Sequence, residues 1–427
     1  MKSEIEKYFD RLWPLNRSLT GNGNRETLKI LSELIDLKIN EIPSGTKCFD
    51  WTIPPEWNVR EAWIKDSKGS KIVDFQKNNL HLLGYSISYK GNTDLETMKK
   101  NMYSLPDQPE VIPYLTSYYK RRWGFCVSDS QLNKLKEDTY EINIDSDLNE
   151  NGTMTIGEAV LKGKTDEEIL LSTYICHPSM ANNELSGPLV TAFIYKELIK
   201  MKHRRYTYKL LFLPETIGAI YYLSINGEHL KEKLAAGYVI TCIGDDARFT
   251  YKKSRMGDSL ADRAALLALE QSGEDYIQED FFPTGSDERQ YCSPGFNLPV
   301  GSLMRSRYGK YKEYHTSDDN KEFISFEAME ESVKIYIEII TIMENNFIYE
   351  NKFPFCEPQL GKRDLYPTLG SQKDTSGYVD AMMWILNLSD GSNDLIEIAK
   401  RSKINFNVLM KAAENLLEKD LIRKKVQ

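Results

Sequence analysis

Two histidines, His177 and His315, and three carboxylates, Glu215, Asp245 and Asp287, occupy the places in this 427-residue sequence where chemistry is most readily built. His177 follows Ile169, Leu170 and Leu171, an apolar run of strand length bounded by Asp-Glu-Glu before it and Pro178 after the histidine. Glu215 follows Leu211-Phe-Leu-Pro214 in the same manner, and Asp245 follows the apolar stretch 238–243. Asp287 and His315 lie in polar loops between later elements. Open α/β sheets collect their working side chains at the carboxyl ends of the strands. Imidazoles and carboxylates gathered there match the needs of a zinc hydrolase, in which ligands hold the ion with one position open and a nearby glutamate takes the proton from water. Arg305 and Tyr314, with Arg307, Tyr308 and Tyr311 beside them, add donors for a substrate carboxylate or phosphate, or for a tetrahedral intermediate, and Asp287 is expected with them at the substrate. Two plainer readings stay open for these residues: histidines satisfied structurally at strand ends, and arginines in surface ion pairs.

The elements that must position these groups follow from periodicity. Ile5, Tyr8, Phe9 and Leu12 predict an opening amphipathic helix, and 25–37 a second. From 48 to 163 the residues alternate in strand fashion and are rich in Trp, Tyr and Ile, which predicts an inserted β-rich domain. Its aromatic cluster Pro113-Tyr-Leu-Thr-Ser-Tyr118-Tyr119 belongs to a core, or to a specificity wall if the module overhangs the site. From about 165 strands and helices alternate, with Ser186 placed to cap the helix 187–200. This order predicts an α/β fold, a mostly parallel sheet covered by helices, over 1–47 and 164–353. After Pro354, three short helices and a terminal strand predict a winged helix over 354–427.

Composition narrows the partners. The formal charge is −8 with acids and bases interspersed, and the third helix of the tail balances Lys411 and Lys419 against Glu414 and Glu418. DNA-reading helices sit in a basic field, so nucleic acid is not the expected partner, and the winged helix is expected to dock or to join two copies as a homo-oligomer. Six cysteines without CxxC spacing predict reduced thiols in a cytoplasmic chain. No run approaches the roughly 18 apolar residues of a membrane span, and the charged N-terminus lacks the apolar core expected of a signal peptide.

The order His177, Asn-Glu-Leu-Ser-Gly, Pro-Glu215, Ser-Asp287 and His315 resembles that of the co-catalytic zinc aminopeptidase clan. More closely, the runs Leu12-Trp-Pro-Leu-Asn-Arg-Ser-Leu-Thr-Gly21, Phe49-Asp-Trp-Thr-Ile-Pro-Pro-Glu-Trp57, Cys176-His-Pro-Ser-Met180, Glu313-Tyr-His-Thr-Ser317 and Glu357-Pro-Gln-Leu-Gly-Lys-Arg363 resemble a bacterial "aminopeptidase-like" family associated with polysaccharide biosynthesis. The resemblance implies that His177 and His315 are metal ligands and Glu215 the general base. It also places the clan's bridging aspartate at Asn183, its second-metal glutamate at Thr216 and the acid behind the first histidine at Ser179, with Asp245 the nearest substitute for its remaining aspartate. Amides and hydroxyls bring no charge to offset two dications, so the expectation is one zinc ion or none. The function expected is metal-dependent hydrolysis of a small peptide or acylamino amide. Two alternatives are a binding or scaffold protein with a silent site, and a ligand-sensing DNA-binding regulator.

Overall fold

The computed structural model describes residues 1–118, 120–365 and 377–425, so Tyr119 of the aromatic cluster lies outside the described residues. The chain forms two compact units, one comprising Met1–Asp262 and Asp275–Lys334, the other Arg263–Glu274 and Ile335–Gln427.

The first unit is built on an eight-stranded sheet. In chain order its strands are β1 (Lys38–Pro43), β2 (Thr153–Leu161), β3 (Glu168–Tyr174), β4 (Thr207–Leu213), β5 (Leu234–Ile240), β6 (Phe249–Lys252), β7 (Tyr276–Glu279) and β8 (Val300–Met304), arranged β1-β2-β4-β3-β5-β8-β6-β7. The central four, β4, β3, β5 and β8, run parallel. All seven residues of β3 are buried, which is why it reads as a continuous apolar run rather than an alternation. The sheet is mixed, because β2 pairs antiparallel with both β1 and β4, and β6 antiparallel with β8. β2 lies in the stretch that reads as β-rich insertion, yet its hydrogen bonds go to the central sheet. The insertion's own four-stranded sheet consists of Lys71–Asp74, Glu56–Lys65, Thr139–Asn149 and Tyr89–Asp94 in that spatial order. It packs a core that includes Trp57, Phe75, Tyr85, Phe125 and Ile144, with Trp57 and Tyr85 stacked at 5.5 Å. Much of the aromatic content of this region is therefore core.

Helix α1 (Lys2–Leu12) buries the four residues of its apolar stripe. The helix after β3, α2 (Ser186–Leu198), is entered through a wide turn, Ala181–Leu185. Ser186 is not the cap expected of it; its hydroxyl turns back to the Asn182 carbonyl at 2.6 Å, because the helical path has already begun. Gly187 is needed where α2 meets β5, since a Cβ there would stand 2.4 Å from the Ile240 carbonyl oxygen.

The second unit carries helices Tyr378–Leu388, Leu395–Ser402 and Phe406–Glu418 with a three-stranded sheet of Ile348–Asn351, Asp390–Asp394 and Ile422–Lys424, a winged-helix arrangement. Asp394 caps the middle helix through the Glu397 N–H at 2.9 Å and pairs with Arg263. Among the described residues no helix is long and apolar enough to cross a membrane.

Candidate functional site

β3 and β4 end in register at Tyr174 and Leu213, so the residues that follow them, His177 and Glu215, emerge from the same sheet edge. His177 is fixed from behind. Glu184, in the wide turn before α2, accepts the His177 N–H at 2.7 Å, lies 3.1 Å from His177 Nδ1 and also takes the Cys176 N–H. Arg17 Nε donates to Glu184 at 2.8 Å and to the His177 carbonyl at 3.1 Å, and its Nη1 donates to the Leu12 carbonyl; both charged side chains are fully buried. With Nδ1 held, His177 turns Nε2 to Glu215, 3.6 Å away. Burial works against the imidazolium, but the hydrogen bond and charge of Glu184, joined by the charge of Glu215, outweigh it and raise the His177 pKa. Glu215 is raised as well, by burial, against the lowering charges of His177 and Arg289.

The backbone beside Glu215 is strained. Thr216 has φ +66°, unusual for a β-branched residue, and is held there by its N–H to Asp287 at 2.7 Å and by Arg289 Nη2 to its hydroxyl at 2.8 Å. The Glu215 N–H meets Cys176 Sγ at 3.2 Å.

His315 completes the group. Its ring centre is 5.1 Å from that of His177, Tyr314 stacks on it at 3.9 Å, and its Nε2 lies 2.9 Å from Asn183 Nδ2. Asn183 is oriented by the Tyr174 hydroxyl, 2.7 Å from Oδ1. Burial, with the charge of His177, pushes the His315 pKa well below its ordinary value, so the ring is neutral. His315 itself has φ +56° and is clamped by the inserted module. Tyr114 N–H donates to the His315 carbonyl at 2.8 Å, Pro113 and Thr316 form a β-bridge, and the Ser317 N–H donates to the Ile112 carbonyl at 2.9 Å. The insertion thereby delivers the Tyr114 ring to 5.1 Å from both imidazoles. Burial pushes the phenols of Tyr114 and Tyr314 above their ordinary values, which keeps them protonated donors.

Two residues read as site groups from sequence are engaged elsewhere. Asp245, expected among the ligands, spends one oxygen on Asn182 Nδ2 at 2.6 Å and the Ser306 N–H, and the other on the Ala247 N–H and the Ser306 hydroxyl. It braces loops. Arg305, expected at the substrate, is buried and donates to Glu331, Ser332 and the carbonyls of Ala247 and Ala328, with its guanidinium over Phe249. It ties β8 to the helix Phe326–Asn345. Asp287 does stand by Glu215: it is fully buried, Oδ2 has no hydrogen-bond partner, and burial with the Glu215 charge pushes its pKa well above the ordinary value. Sequence alone gives Arg17 and Glu184 no role, and Tyr114 only its place in the aromatic cluster that reads as core or specificity wall. Arg17 lies within the Leu12 to Gly21 run and Glu184 directly beside Asn183, which is the only local signal either gives.

The turn that carries Asn183 hangs on Asp319, whose carboxylate accepts the N–H groups of Ala181, Asn182 and Asn183 at 3.1, 2.6 and 2.9 Å. Burial outweighs these donors and pushes Asp319 up to about 7. Because the native value stands above that of the unfolded chain, the native state binds this proton more tightly. The resulting stability is whole below about pH 3.8 and is lost as pH rises through about 7. The urea midpoint of the wild type, measured against that of Asp319→Asn, is accordingly expected to fall between pH 5 and pH 8. A constant difference across that range would show an ordinary carboxylate.

Cys176, His177 and Glu184 have donor atoms within 4.8 Å of one another, a group of the kind that binds divalent metals. Within it Glu184 is committed to Arg17 and to backbone, and burial pushes the Cys176 thiol well above its ordinary value, so His177 Nε2 is the free donor. A carboxylate on Nδ1 is the arrangement that aims a metal-binding histidine. His177 Nε2 faces Glu215 at 3.6 Å and the His315 ring lies 5.1 Å from the His177 ring, so a carboxylate that can take a proton stands beside the two imidazoles. Cys176, His177 and Glu184 form a cluster able to take a divalent metal.

The fold agrees with solved zinc aminopeptidases. The aminopeptidase BSAP from Bacillus subtilis superposes with a TM-score of 0.59 at 11% identity, covering 80% of this chain and 93% of that one. A crystal structure from Clostridium acetobutylicum, given provisionally as a peptidase, superposes with a TM-score of 0.93 at 44% identity over 99% of this chain and 96% of its own. A Clostridium acetobutylicum protein provisionally described as a polysaccharide biosynthesis protein with an aminopeptidase-like domain is 46% identical, covering 98% of this chain and 96% of that protein. The winged helix-turn-helix family matches residues 347–424. Residues 6–346 match the domain of unknown function DUF4910, and the chain is a member of that family.

Proposed function

We propose that this chain is a metal-dependent hydrolase of amide bonds in small peptides or acylamino compounds. One observation carries the reading: His177, braced by a buried carboxylate, aims its free nitrogen at Glu215 from 3.6 Å. The ion would be held by His177 and His315, with the Asn183 amide turned over to offer its oxygen. Zinc bound there supplies Lewis acidity to a scissile carbonyl. Glu215 takes the proton of the attacking water as its oxygen adds to the carbonyl carbon, and returns a proton to the nitrogen as the C–N bond breaks. Tyr114 and Tyr314 are protonated donors beside the imidazoles, suited to the oxygen that gains charge. Six free cysteines, five of them buried, suit a reducing compartment, so we place the chain in the cytoplasm, and the related Clostridium protein suggests a role in polysaccharide biosynthesis. The balanced charge of the third helix in the tail favours a homo-oligomeric contact over DNA binding.

A second reading, binding without turnover, is favoured by the contact of the Asn183 amide with His315 Nε2. Zinc titration of chelator-treated protein, followed by assay of aminoacyl and N-acyl amides, separates the two. One equivalent of zinc with zinc-dependent hydrolysis is expected, and Asn183→Asp should bind zinc about tenfold tighter or more, because it adds a charge among neutral ligands. Absence of hydrolysis with zinc, cobalt and manganese would leave the binding reading.

A further inference from the structure

A cavity of about 290 Å³ lies between the end of α1 and the inserted module. Its walls include Trp13, Gln76, Lys77, Asn79, Ser179 and Ser317. The Trp13 indole is backed by Phe9, with ring centres 5.4 Å apart and planes 25° from parallel, and the indole remains partly exposed. The Asn79 amide donates to the Pro14 carbonyl at 3.2 Å, which ties the module's wall to the N-terminal segment. Among the described residues no carboxylate lines the cavity and Lys77 is its single charge, so a cationic ligand gains nothing there. Gln76 Nε2 donates to the Arg60 carbonyl at 2.9 Å and Ser317 Oγ accepts the Ile112 N–H at 3.0 Å, which orients these polar groups, and an apolar side chain would desolvate them without adding a partner. A sugar ring satisfies both kinds of wall, presenting a C–H face to an indole and hydroxyl or acylamino groups to amides and serines. Ser179 and Ser317 each stand two residues beyond a site histidine, so the loops carrying His177 and His315 also build this cavity.

We infer that the cavity seats the saccharide part of the substrate, and that the amide cut is one carried by an acylamino sugar. The bond cut rests on the reading of His177 and Glu215 as a hydrolytic pair; the binding of the sugar does not. Calorimetric titration of the full chain with N-acetylglucosamine, and with N-acetylalanine amide as the peptide-like probe, tests it. N-acetylglucosamine is expected to bind at least fivefold tighter, and Gln76→Ala/Lys77→Ala, at two exposed positions, should weaken it at least fivefold, as should Trp13→Leu. Glu215→Gln should bind it unchanged. Equal affinity for the two probes, no binding of the sugar, or indifference to both cavity variants would overturn the inference. Sugar binding that obeys these variants, in a chain that hydrolyses no amide, would retain the saccharide seat and remove the hydrolase.

Discussion

Glu215→Gln is expected to lower kcat by about 10² to 10⁴ on any amide the zinc-loaded chain hydrolyses, with KM nearly unchanged. Glutamine keeps the shape of the side chain and leaves the backbone N–H on Cys176 Sγ, so the strained turn at Thr216 should survive. What is lost is a group that can take a proton. The neutral amide also withdraws one of the charges that raise His177, whose pKa should move down in the variant. The loss corresponds to about 3 to 5 kcal/mol of transition-state stabilisation. Steady-state kinetics alongside zinc stoichiometry check it: rates within about twofold of wild type, at equal zinc content, would remove Glu215 from the proton-transfer role.

Arg17→Met is expected to destabilise the protein by about 3 to 5 kcal/mol, the cost of leaving a buried carboxylate without its partner. Arg17 and Glu184 are both fully buried, and burial lowers the Arg17 pKa against the opposing charge of Glu184, so neither can turn to water for compensation. Arg17→Met/Glu184→Gln should recover much of the loss, because the second change removes the stranded charge while keeping an acceptor for the His177 N–H. The variants are compared by urea unfolding and by the rate on an amide substrate. A single variant that loses less than about 1 kcal/mol would mean that buried Glu184 needs no cation beside it.

Local sequence carries information where the cause is local. The apolar run ending before His177 becomes a fully buried central strand, because a strand covered on both faces needs no polar alternation, and its carboxyl end presents the histidine as the fold class requires. Glu215 follows from the same argument one strand over. The apolar stripe of α1 behaves likewise. β2 marks a limit, since its alternating pattern suits any half-buried strand, and only the pairing of Gly157 with Phe212 assigns it to the central sheet.

The surroundings of the site lie beyond that limit. Glu184 acquires its meaning from Arg17, 167 positions away, and Tyr114 from the backbone of His315, in another module. Asp245 and Arg305 have the residue types of a site but are saturated by Asn182, Ser306 and Glu331, which no spacing along the chain reveals. The sequence by itself determined the strand ends, the helices over them and the side chains available at that edge, because period and polarity are properties of neighbouring residues. The tertiary structure decided which carboxylates remain free to act and which are consumed as braces, because a buried charge must find its partner wherever the fold brings one.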